Sequence, residues 1–320
     1  MNPASIIVPV LIALLVLVIG GFILMWVFCM KIAKKQYANM FIRETKDKWA
    51  RGNSAPENPE HTVMFDTGIK WGNENASYMT EIEVTSFDGL KMKGEYFDFG
   101  YDRAAIIMAG RAETCKYCYY FADLYQKNKF NIIVVDPRAA GLSEGKYTGC
   151  GILEGKDLSA WIEQVHKQFN IDHFVIHGIC IGSVAAIYVA SEHNPYVDSI
   201  VLEGPFISFY NVLCQRTKNL GKPTFPVCLQ MGLLFKKLAG IDIFKNTPIK
   251  AIRNVEVPQL MICGRQDVSS LPIYFDRINE ASGSKRKQMV WFDEGAHSHL
   301  RIRNLEAYDK AVSDFVNYGG

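Results

Sequence analysis

Hydrophobic positions follow two different rules along this chain. From Ile6 to Met30 every side chain is apolar, and none of the first thirty residues is charged. As a helix rising 1.5 Å per residue, that run extends roughly 37 Å, enough to cross a bilayer with some tilt. Beyond residue 79 the pattern breaks into short pieces. Runs at 81–86 and 90–97 flank Phe87-Asp88-Gly89, which predicts two strands joined by an Asp-Gly turn. Further apolar runs at 104–109, 131–135, 173–176, 198–202, 259–263 and 288–292 alternate with longer stretches of helical spacing. That alternation predicts a mostly parallel sheet with helices on both faces, an α/β architecture.

Between these regions the chain is polar. Residues 31–51 hold seven Lys or Arg against Glu44 and Asp47, and residues 51–78 scatter Gly, Asn and Pro with little apolar periodicity. The expected organisation is a transmembrane helix at 5–30, a basic juxtamembrane segment and linker at 31–78, and one domain at 79–320. The first segment lacks the basic start, short apolar run and small-residue cleavage site of a signal peptide, which favours an uncleaved anchor. Because the nearby positive charge follows the apolar run, the positive-inside rule expects a single-pass protein of the cell membrane with its domain in the cytoplasm. Charge elsewhere is close to balanced, so no basic face for nucleic acid is expected.

Eight cysteines without framework spacing read as reduced thiols. Cys115 and Cys118 form a C-x-x-C pair with no second pair nearby, which reads as two cysteines on one helix rather than a zinc or redox centre. No metal and no organic cofactor are expected.

In an open α/β sheet, reactive groups collect at the carboxyl ends of strands. There the chain reads His177-Gly178-Ile179-Cys180-Ile181-Gly182-Ser183, then an apolar helix-like stretch. Glycines two residues to either side of Cys180 have the spacing of a nucleophile elbow, and the following helix N-terminus favours a thiolate. Asp267 follows the run 259–263, and His297 lies just past the last strand, giving the chain order nucleophile, acid, histidine. Each has a plainer alternative: Cys180 as a structural thiol, Asp267 as the cap of a helix near Leu271, His297 as a solvated loop residue. His299 and Glu203 are the fallback base and acid.

With these residues in view, the domain resembles the α/β-hydrolase superfamily, in particular membrane-anchored bacterial hydrolases of the serine aminopeptidase-like kind. The resemblance also rests on the block Asp136 to Gly145 (DPRAAGLSEG) and on Gly151 to Trp161 (GILEGKDLSAW). It departs from the family at two places. Cys180 stands where serine is usual, as in dienelactone hydrolases, which use a Cys-His-Asp triad. Ala109-Gly110-Arg111-Ala112 stands where the family has His-Gly. The resemblance implies oxyanion-hole donors at the backbone N–H of Arg111 and Ile181. The Arg111 side chain is open to a substrate carboxylate or to an ion pair with Glu113.

An insertion at about 205–250 is rich in Phe, Leu and Met and is expected to form a lid. Phe206, Phe209 and Tyr210 are candidate substrate contacts, along with Leu220, Phe225, Met231, Leu234 and Phe235, against the simpler reading that these side chains pack the lid onto the sheet. The expected activity is hydrolysis of a small-molecule acyl substrate, an ester, thioester or lactone, through an acyl-cysteine. The alternatives are a membrane-tethered binding protein without chemistry, and an acyltransferase.

Overall fold

The computed structural model describes residues 4–318. Helix α1 (Ala4–Phe41) is followed by α2 (Pro59–Glu74), then strands β1 (Met79–Thr85), β2 (Lys91–Phe97) and β3 (Arg103–Met108). Helix α3 (Cys115–Lys127), β4 (Asn131–Val135), α4 (Ile152–Phe169), β5 (His173–Ile179), α5 (Ile181–Ser191) and β6 (Val197–Glu203) follow. The insertion holds α6 (Phe209–Asn219), α7 (Val227–Leu234) and α8 (Pro248–Ala251). The chain closes with β7 (Gln259–Gly264), α9 (Pro272–Ala281), β8 (Lys287–Phe292), α10 (Leu300–Arg303) and α11 (Leu305–Val316).

All eight predicted strands are present in one sheet of order β1-β2-β4-β3-β5-β6-β7-β8. Strand β2 runs antiparallel to both β1 and β4, and the remaining pairs are parallel. The hairpin turns where expected, with Gly89 at φ 84° and Ser86 N–H donating to Leu90 O at 2.8 Å. The central strands β3, β4 and β5 are buried on both faces, as continuous apolar runs should be.

Two segments depart from the expected organisation. The helix predicted for 5–30 does not stop at the first charges but runs on to Phe41, about 57 Å in all at 1.5 Å per residue. Ala33, Tyr37 and Phe41, four residues apart on one face, are buried against the insertion. Tyr37 and Phe41 each pack on Phe235 with ring centroids 4.8 Å apart, and Phe41 also meets Phe209 at 5.6 Å. Residues 31–41 are therefore a docked helix end rather than a linker.

The second departure is α2, in the stretch expected to be unstructured. Asn58 caps it by accepting from Glu60 N–H and His61 N–H, and Pro59 occupies its first turn. Its inner face carries Trp71, which packs on Phe97 and Tyr119 and donates through Nε1 to Gln126 Oε1 at 2.8 Å. Asn and Pro here start a helix, whereas composition alone reads them as loop residues. Arg43 and Arg51 likewise turn inward: Arg43 donates to Ser143 O and Gly141 O, and Arg51 pairs with Asp136 and Glu95.

Cys115 and Cys118 are both on α3, as expected, and both are buried, which pushes their thiols well above the ordinary range. Among the described residues one helix, α1, is long and apolar enough to cross a membrane, with a mean hydropathy of 3.2 in its most apolar window.

Candidate active site

A single residue joins β5 to α5. That residue is Cys180, with φ 56° and ψ −112°, a backbone conformation L residues avoid. The turn is held by Cys180 N–H donating to Glu203 O at 2.8 Å and by the Ser183 hydroxyl bonded to Gly178 O at 2.6 Å and Glu203 O at 2.7 Å. Both flanking glycines are required by close approach. A Cβ on Gly178 would stand 2.2 Å from Gly182 O, and one on Gly182 would stand 2.1 Å from Met108 O. The sharp strand-to-helix turn read from the sequence is thus built, and it presents Cys180 at the sheet's carboxyl edge.

Asp267 and His297 arrive at the same edge from the loops after β7 and β8. Asp267 Oδ2 lies 2.7 Å from His297 Nδ1, while Oδ1 accepts from Ser269 N–H and Ser270 N–H. The carboxylate is therefore fixed in place by its own loop before it meets the imidazole. His297 Nε2 is buried with no hydrogen-bond partner among the described residues. Burial pushes the imidazole down, but Cys180 and then Asp267 outweigh it and hold His297 well above its ordinary value.

The fallback pair does not join this group. Glu203 is buried and accepts instead from the Tyr308 hydroxyl at 2.6 Å, which also lies 3.1 Å from His177 Nε2. His299 faces Glu60 at 3.4 Å.

Cys180, Ile181, Arg111 and His297 line one cavity of about 420 Å³, within the range of small-molecule sites. Among the described residues, neither the N–H of Arg111 nor that of Ile181 donates to a protein acceptor. Glu113 also lines the cavity and accepts Gly110 N–H at 2.9 Å, and burial pushes its carboxyl up to about 7. It does not pair with Arg111. The Arg111 guanidinium donates to Met40 O at 2.9 Å, the end of α1.

Of the expected substrate contacts, Phe206 and Phe209 line the cavity, as does Leu220, but Tyr210 and Phe225 do not. Lining residues on α6 are Phe209, Val212, Leu213, Arg216 and Asn219, spaced three and four apart along one face. Tyr210 is one position round the helix and packs on Phe244, with centroids 5.1 Å apart. Met231, Leu234 and Phe235 pack the insertion, as the simpler reading held. The sequence reading missed Val212, Leu213 and Arg216, whose helical spacing was visible. It also missed Met40 and Phe41, which bring the end of α1 into the cavity wall.

Comparison with known proteins agrees with this architecture. Residues 106–226 match the family model for the alpha/beta hydrolase fold. The uncharacterized protein YqkD of Bacillus subtilis is 26% identical over 208 residues, covering 64% of this chain and 66% of the relative, just under two thirds of its length. An uncharacterized membrane protein of Saccharomyces cerevisiae is 22% identical over 218 residues, covering 66% of this chain and 69% of that one. Among solved structures, the esterase Pf2001 of Pyrococcus furiosus superposes with a TM-score of 0.66 at 20% identity, covering 77% of this chain and 92% of the other. The esterase EaEST of Exiguobacterium antarcticum does so with a TM-score of 0.52 at 17% identity, covering 73% and 98%. The chain is an α/β-hydrolase-fold protein, preceded by one long apolar helix.

Proposed function

We propose that this protein is a membrane-anchored hydrolase of carboxylic esters, thioesters or lactones, acting through Cys180, His297 and Asp267. The observation that carries the reading is the 2.7 Å contact between Asp267 and His297, with the far nitrogen of that imidazole left unbonded in the cavity that holds Cys180. That the structurally similar proteins Pf2001 and EaEST are esterases supports the reaction class.

In the reaction, His297 Nε2 takes the proton of the Cys180 thiol as the sulfur attacks the substrate carbonyl carbon. The oxyanion that forms is held by the N–H groups of Arg111 and Ile181. The carbon–oxygen or carbon–sulfur bond to the leaving group then breaks, and that group departs with the proton from His297. Water next attacks the acyl-cysteine and gives a proton to His297. The carbon–sulfur bond breaks, the carboxylic acid leaves, and the thiol is restored. Asp267 keeps the imidazole in the tautomer that presents Nε2 and balances its charge.

Lys31, Lys34 and Lys35 directly follow the apolar run of α1, which favours a cytoplasmic domain on a single-pass anchor. The test of the chemistry is a turnover screen of short- and long-chain esters and thioesters with wild type, Cys180→Ser and Cys180→Ala. Serine is expected to retain part of the activity and alanine none; equal rates in all three would overturn the assigned nucleophile.

A further inference from the structure

The cap built from residues 205–250 touches α1 at a level where α1 is still wholly apolar. The rings of Phe225 and Phe22 lie 6.5 Å apart, and Gln230 Nε2 donates to Trp26 O at 2.8 Å. Lys31 is the first charged residue of the chain, and Phe22 precedes it by nine positions, about 13 Å along a helix rising 1.5 Å per residue. If α1 crosses a bilayer, Phe22 lies below the headgroups, and the side chain that touches it lies there too.

The surface of the cap fits that depth. Phe225 is 56% exposed although it is a phenylalanine, and Leu220, Leu233 and Leu238 on the same cap are also exposed. In water such a group beside a bare apolar helix has no partner, whereas against acyl chains it continues the apolar face of α1. Lys218 and Lys222 stand on the same tip, and Lys34 and Lys35 on α1, all exposed, with stems long enough to carry their ammonium groups towards lipid headgroups. The cavity wall reaches the same loop, because Leu220, an exposed residue, is both one of its lining residues and the first residue of the connection to Phe225. Leu220 shares that wall with Leu213 and Phe209, both buried, with Val212 and with Cys180.

We infer that the connection 220–226 dips into the leaflet from which α1 emerges, and that the substrate is a bilayer-resident acyl lipid whose chain enters the cavity past Leu220. The substrate class rests on the ester-hydrolase reading given above; the insertion of the loop does not.

Two measurements on the full chain in phospholipid nanodiscs test the two clauses separately. In the first, Phe225→Trp is compared with wild type in discs of ordinary and acyl-brominated phosphatidylcholine, with Val63→Trp on the far helix α2 as control. The added emission of Phe225→Trp is expected to fall at least twofold in brominated lipid while that of Val63→Trp is unchanged; equal behaviour of the two would overturn the insertion. In the second, Phe225→Glu is expected to lose at least tenfold in hydrolysis of a long-chain ester dissolved in the bilayer, yet to hydrolyse water-soluble p-nitrophenyl acetate as wild type does. A parallel loss on both esters, or no loss on either, would overturn the lipid substrate. A wild type inert towards both would overturn the ester reading, leaving the quenching result to decide insertion by itself.

Discussion

The guanidinium of Arg111 donates to the carbonyl oxygen of Met40 at 2.9 Å, tying the loop after β3 to the last turn of α1. A helix end with unpaired carbonyls is a natural seat for a cation, and the guanidinium also sits 5.6 Å from the centre of the Phe41 ring. The loop proposed to supply an oxyanion donor is therefore braced by the end of α1.

Removing that brace should affect both stability and rate. A hydrogen bond from a charged donor contributes about 1.5–3 kcal/mol. Arg111→Ala is expected to lower Tm by several degrees and kcat/KM by about tenfold, the cost of a loosened oxyanion donor. Thermal melts and ester kinetics on the detergent-solubilised protein check this, and an unchanged kcat/KM would detach the brace from catalysis.

Asp267→Asn retains the shape of the contact with His297 but removes its charge and favours the wrong tautomer. Loss of kcat by roughly 10³–10⁴-fold is expected, with Tm little changed because an amide oxygen can still accept from Ser269 and Ser270. His297→Ala is expected to lose a comparable factor, and the two losses should not add, since the residues act as one unit. Steady-state kinetics of the single and double variants provide the check.

The lining of the cavity makes a prediction about chain length. Val212→Trp places an indole in the cavity and is expected to reduce turnover of long-chain esters about tenfold or more relative to acetyl esters. Tyr210→Ala, two residues away but off the lining face, is expected to change that ratio less than about twofold. If the Tyr210 variant shifted chain-length preference as far as the Val212 variant, the assignment of the α6 face would be wrong.

Buried Glu203 makes stability depend on pH. Burial raises its carboxyl to about 7 from an ordinary value of 4.5, so between those limits the folded protein holds a proton that the unfolded chain has released. The unfolded state then binds fewer protons, and stability falls as pH rises through that window. Wild-type Tm is expected to decline from about pH 5 to about pH 7.5. Glu203→Gln, which can still accept from the Tyr308 hydroxyl, should show a shallower decline, and identical slopes would contradict the assignment.

Much of this was legible in the chain itself. Six strands show because each is a short apolar run bounded by polar or turn residues, the opening hairpin shows by its Asp88-Gly89 turn, and the elbow shows because Gly178 and Gly182 bracket Cys180. What escaped was of another kind. The extension of α1 to Phe41 escaped because the first lysines lie on its outer face while Ala33, Tyr37 and Phe41 alone mark the inner one. Helix α2 escaped because its packing face includes Gly68 and Gly72, which contribute no apolar signal. Tyr210 was misread because aromatic content was weighed without helical phase, and phase is what separates Phe209 from its neighbour. The tie between Arg111 and Met40 spans 71 residues and has no local signature.

In the proposed reaction Cys180 carries the acyl group during turnover. Intact-protein mass spectrometry after brief mixing with a slow-turnover acyl thioester measures this directly. Wild type is expected to gain the mass of one acyl group, lost again on standing and mapped to Cys180, while folded Cys180→Ala gains none. An unmodified wild type that nevertheless turns the thioester over, or equal acylation of the alanine variant, would contradict it.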